Sequence, residues 1–118
     1  MIRNALADAT TWQMLENKGI HMLTLESLRR ERKAEILRLA KLHGCRNVRV
    51  FGSLATGRNT SASDIDFLVD LDSGHNLFDL GALLADLKDL LGTRVDLVEA
   101  RCIHPYIRDR VLSEAVRL

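Results

Sequence analysis

Between residues 50 and 72 the chain reads Val-Phe-Gly-Ser-Leu-Ala-Thr-Gly-Arg-Asn-Thr-Ser-Ala-Ser-Asp-Ile-Asp-Phe-Leu-Val-Asp-Leu-Asp, and no other stretch limits the fold as much. An apolar run ends at Gly52-Ser53, a polar loop with a second glycine at Gly57 follows, and Asp64 and Asp66 open a second apolar run from Ile65 to Leu71. Read as strand, loop and strand, alternation puts Asp64 and Asp66 on one face and Ile65, Phe67 and Val69 on the other, toward a core. Two carboxylates side by side repel unless something positive lies between them. A hard divalent ion such as Mg²⁺ takes carboxylate oxygens together with nucleotide phosphates. The Gly-Ser turn just upstream offers backbone N–H groups and a hydroxyl to such phosphates. The pattern points to metal-dependent phosphoryl or nucleotidyl chemistry.

The remaining elements follow from periodicity. Thr24 suits an N-cap and Gly44 a helix stop, with Leu25, Leu28, Ile36, Leu39, Ala40 and His43 as the apolar stripe between them. The run Arg29 to Lys33 falls outside that stripe and reads as a solvated face or as an electrostatic contact with a partner or RNA. His43 is expected to interact with the last carbonyls of its helix. Asn47 to Phe51 alternates as a half-buried strand, and leucines 77, 80, 83, 84, 87, 90 and 91 recur at helical spacing before Gly92. Thr93 to Glu99 is a third strand, with Asp96 between Val95 and Leu97, and His104 to Leu118 is a closing helix whose Pro105 fits a first turn. The order helix, strand, strand, helix, strand, helix predicts an α/β (α+β) fold, a small mixed sheet covered by helices.

At 118 residues the chain is long enough for one domain with a real core. Its 47% apolar and 28% charged content excludes disordered and fibrous classes. A net charge of +1 gives no bulk pull toward nucleic acid or membrane, although 13 of the 17 basic residues are arginine. Cys45 and Cys102 lie too far apart in sequence for a zinc motif, so two free, partly buried thiols are expected. No window reaches the roughly 18 apolar residues of a membrane span, and a cytoplasmic protein is expected. Residues 1–23 are set apart as an extension with a weak helical pattern from Ala5 to Lys18, where Trp12 packs on its own chain or on a partner. Met22 is an alternative start, and residues 24–118 form the domain.

An Asp-x-Asp pair alone is a weak signal. It sharpens when the pair opens a strand directly after a Gly-Ser turn, and when a third carboxylate, Asp96, sits in a later apolar strand that a helix returns toward the first two. A carboxylate buried mid-strand is costly without a partner or a metal. Gly52-Ser53, ten residues, then Asp64-Ile-Asp66, then Asp96 resembles the nucleotidyltransferase domain of the DNA polymerase β superfamily, in its minimal bacterial and archaeal branch. The resemblance covers residues 24–118. It implies a polymerase β-like fold in which Asp64, Asp66 and Asp96 bind two Mg²⁺ ions. Gly52, Ser53, Gly57, Arg58 and Ser63 are the matching candidates for the phosphates of ATP. Many relatives carry arginine where Thr56 stands, and Arg58 is the residue able to take over. The implied reaction is in-line attack of an acceptor hydroxyl on the α-phosphorus, with pyrophosphate leaving.

A domain this short has no second domain to grip an acceptor, so a partner chain is expected to present it. The resemblance implies that partner: a small helical HEPN-family ribonuclease, the toxin of a two-gene module, whose tyrosine receives AMP. A hetero-oligomer follows, with no membrane and no direct nucleic-acid binding. Arg101, Arg108, Arg110 and Arg117 suit docking or form a solvated face. Two other readings stay open: an antitoxin that neutralises its toxin by occlusion alone, and a nucleotidyltransferase acting on a small molecule.

Overall fold

Helix α1 begins where its cap requires in the computed structural model, which describes residues 23–60 and 64–118. The Ser27 N–H donates to Thr24 Oγ1 and the Thr24 N–H to Ser27 Oγ, both at 3.0 Å. This reciprocal box satisfies donors that a helix start leaves open, and α1 then runs over Leu25–Leu42. Gly44 ends it at φ +73°, and a Cβ there would meet the His75 ring at 2.4 Å. Strand β1 (Cys45–Phe51) leads into a one-turn helix α2 (Gly52–Thr56), and β2 (Ile65–Leu71) follows. Helix α3 (Leu77–Leu91) is capped by Asn76, which accepts from the Phe78 N–H at 2.9 Å and is answered by Asp79. Then come β3 (Val95–Glu99), a 3₁₀ turn (Ala100–Cys102), α4 (Pro105–Glu114) and β4 (Val116–Arg117).

The strands form one mixed sheet in the order β3-β2-β1-β4, with β2 and β3 parallel and the other pairs antiparallel. A parallel pair needs a crossover, and α3 supplies it. The helices α1 and α3 bury one sheet face. Leu28, Ile36 and Ala40 from α1 and Leu83 and Leu87 from α3 meet Val48, Val50, Ile65, Phe67 and Val69, all 7% exposed or less. Sealing the odd-numbered face of β2 this way leaves its even-numbered face, with Asp66, Leu68 and Asp70, to build something else.

Three expectations are corrected here. The loop after Phe51 starts as helix, because Leu54 is buried and Gly57, at φ +76°, caps the turn with its N–H on the Ser53 carbonyl. The closing helix stops at Glu114, and Val116, expected within it, pairs with Val50 in the sheet instead. An open β1 edge and the burial of Leu118, whose N–H donates to the Val48 carbonyl at 3.1 Å, draw the terminus out of helix. Nothing in α4 is buried. The basic run of α1 is not wholly solvated either. Arg29 donates through Nε to the Leu118 carbonyl at 3.1 Å and also bonds the Arg117 carbonyl, while Arg32 pairs with Glu35. His43 does meet the last carbonyls of its helix, its N–H donating to those of Leu39 and Ala40 at 3.2 Å, while its side chain crosses to Asp86 on α3, with Nε2 and Oδ2 2.6 Å apart. Both cysteines are free, Cys45 buried and Cys102 exposed. No described helix is long and apolar enough to cross a membrane. The helix expected at Ala5 to Lys18, and Trp12, lie outside the described residues.

Candidate active site

Parallel pairing of β2 and β3 puts Asp66 opposite Asp96 and Ile65 opposite Val95. Opposed residues share a face, so the two carboxylates stand together on the side the core does not use. On the other flank Phe51 pairs with Asp66, which brings the next residue, Gly52, over that carboxylate. A Cβ on Gly52 would come within 2.4 Å of Asp66 Oδ2, and the backbone there has φ +73°. Glycine is required twice over, for space and for the left-handed conformation. The turn thus presses main chain directly against an acidic group, which is the close approach of backbone to site that Gly52-Ser53 suggested in sequence.

The Asp66 carboxyl is pushed up to about 6, first by burial and then by the charges of Asp96 and Asp64. Low polarity and like charge both disfavour the ionised form. Asp96 itself is exposed on β3. The burial cost reasoned from its apolar neighbours therefore falls on Asp66, because sheet register rather than local sequence decides which carboxylate is enclosed. Asp64 pairs with a cation: its Oδ1 lies 2.9 Å from Arg94 Nε. Among the described residues no three His, Cys, Asp or Glu side chains stand close enough to hold an ion. The donor set nonetheless fits a hard divalent cation. It offers carboxylate oxygens from two adjacent strands, and one of them lacks a counter-charge that such an ion would supply.

Gly57 is the left-handed cap of α2 with open space around it, and Arg58 is exposed on the same turn. Arg58 Nε donates to Thr56 Oγ1 at 3.1 Å, carrying the guanidinium back over Thr56. The Ser53 carbonyl accepts from the Arg58 N–H at 2.9 Å. Ser63 lies outside the described residues. Arg94 is the residue the sequence reading missed. Its signal was present, since strand alternation places residue 94 on the face of Asp96.

A family model described as the nucleotidyltransferase domain matches residues 30–118. The chain belongs to this family and is a nucleotidyltransferase. Within it the chain falls among the minimal nucleotidyltransferases: a solved structure described provisionally by that name superposes with a TM-score of 0.71 at 45% identity, covering 81% of this chain and 97% of that one. Protein adenylyltransferase MntA of Thermococcus cleftensis is 38% identical over 95 residues, 80% of this chain and 96% of its own. MJ0435 of Methanocaldococcus jannaschii, provisionally named a protein adenylyltransferase, is 40% identical over 86 residues, 73% of this chain and 92% of its own. A toxin–antitoxin crystal structure with AMP-PNP shares the fold, with a TM-score of 0.62 at 23% identity over 73% of this chain and 71% of that one.

Proposed function

We propose that this nucleotidyltransferase transfers AMP from ATP to a hydroxyl of a partner protein, as the antitoxin of a toxin–antitoxin pair whose toxin is a small helical HEPN-family ribonuclease. The observation that carries the reading is the row Gly52, Asp66, Asp96, in which a glycine turn is pressed on a carboxylate that is registered with a second one across parallel strands. The relatives named protein adenylyltransferase and the toxin–antitoxin fold neighbour support the choice of donor and partner.

In this reading Asp64, Asp66 and Asp96 hold Mg²⁺, and Gly52, Ser53, Gly57, Arg58 and Ser63 hold the phosphates. Bound there, Mg²⁺ supplies Lewis-acid activation of the attacking hydroxyl and neutralises the leaving pyrophosphate. The chain's own part is positional. The Gly52 turn brings main-chain N–H groups to the site, and the β2–β3 register fixes Asp66 and Asp96 side by side. Residues 24–118 make up the catalytic domain, and the partner supplies the acceptor. The test is incubation with ATP and Mg²⁺, with and without the protein encoded beside this chain, followed by intact mass of both. A gain of one or more AMP units on the partner, absent with Asp66→Asn, is expected. Tight association with no mass change on either chain would replace transfer by occlusion.

A further inference from the structure

One member of the carboxylate trio is paired with a cation. Asp64 Oδ1 contacts Arg94 Nε at 2.9 Å, while Asp66 takes no hydrogen bond from a described residue. Three acids on one face need counter-charge, and Arg94 is a cation that the fold delivers to them. Its position is set by the backbone, since the Ile65 N–H donates to the Arg94 carbonyl at 3.1 Å where β2 and β3 begin. Its grip is not. The side chains of Arg94 and Asp64 are 75% and 44% exposed, and an ion pair this open changes an equilibrium by no more than about fivefold.

We propose that Arg94 is a displaceable counter-ion that holds Asp64 in the metal-free protein, yields it to a divalent cation, and then binds the triphosphate. The proposal rests on the metal-dependent reading of Asp64, Asp66 and Asp96. The exchange keeps charge matched at each stage: a guanidinium on a carboxylate, then a dication on the carboxylates with the guanidinium on phosphate. An arginine suits both stages because its planar fork pairs equally with carboxylate and phosphate oxygens. Its high exposure means that it leaves Asp64 without stranding a buried charge. Ordered entry follows, with metal loosening Arg94 for the nucleotide.

Mn²⁺ binding without nucleotide, measured calorimetrically on wild type, Arg94→Gln, Arg94→Lys and Asp66→Asn, tests the first half, and tripolyphosphate binding in saturating Mn²⁺ tests the second. Arg94→Gln is expected to bind Mn²⁺ about two- to fivefold more tightly than wild type, and tripolyphosphate about tenfold more weakly. Arg94→Lys returns Mn²⁺ affinity toward wild type and leaves tripolyphosphate binding weak. A structural role for Arg94 would not raise metal affinity. Mn²⁺ affinity that is equal or lower in Arg94→Gln overturns the proposal, as does unchanged tripolyphosphate binding. If Asp66→Asn loses Mn²⁺ while Arg94→Gln matches wild type, only the Arg94 inference falls. Equal and negligible Mn²⁺ binding in all four proteins sinks the metal reading with it.

Discussion

Asp66 is where function and stability pull in opposite directions. Its folded value of about 6 lies above the 3.8 of an ordinary aspartate. The folded protein therefore holds this proton more tightly than the unfolded chain. The stability this contributes is complete below about 3.8 and is lost as pH rises through about 6. Without metal at neutral pH the ionised group is a net strain, so Asp66→Asn should melt higher than wild type in EDTA, and that advantage should vanish near pH 4. On the proposed metal-dependent reading, the same variant is expected to lose at least about a hundredfold in turnover, because losing a metal ligand costs several kcal/mol of transition-state stabilisation. Thermal melts at the two pH values and a single-turnover assay check both halves. Gly52→Ala should fail differently, losing about 1–3 kcal/mol of stability from backbone strain as well as activity, since its Cβ has no room beside Asp66. Denaturant titration reads that loss. Thiol labelling adds a third residue-scale check. Burial and nearby acids push the Cys45 thiol up to about 11, so one equivalent, Cys102, should react quickly in the folded protein and the second only on unfolding. Of these residues Gly52, Asp64, Asp66 and Asp96 were legible from type and spacing. Which acid is buried was not, because that depends on the neighbouring strand.

At the scale of elements, caps carried more information than stripes. Thr24, Gly44 and Gly92 mark helix ends that the structure keeps, because each satisfies or releases backbone groups locally. The terminal segment was misread since Val111, Leu112, Ala115 and Val116 keep helical spacing, while the competing partner, the free edge of β1, lies more than sixty residues away in sequence. Its contribution is measurable. Leu118 is 5% exposed and its backbone joins the sheet, so Leu118→Ala should cost about 2–4 kcal/mol through lost burial and a residual cavity. Arg29→Ala should cost less, since it removes side-chain bonds to the last two carbonyls and leaves the core filled. Urea unfolding of both variants ranks them. Equal losses would mean that Arg29, rather than core burial, holds the terminus.

For the whole molecule, one sheet has two distinct sides: α1 and α3 seal the odd face of β2 into a core, and its even face carries the candidate acid Asp66 beside the buried Leu68. The Asp-x-Asp alternation already contained this division, which is why fold class and candidate site were readable together. The packing of α4 was not readable, because none of its residues is buried and its neighbour in the fold is the short turn α2, itself unforeseen as a helix. The central claim is that the acids on the even face transfer a nucleotidyl group and not a phosphoryl group. The most direct measurement gives the protein, Mg²⁺ and the product of the adjacent gene ATP labelled in either the α- or the γ-phosphate, and then follows the label. Label from the α-phosphate is expected on the partner and label from the γ-phosphate in free pyrophosphate, with neither moved by Asp66→Asn. Label from the γ-phosphate on the partner, or α-label transfer undiminished in Asp66→Asn, would contradict it.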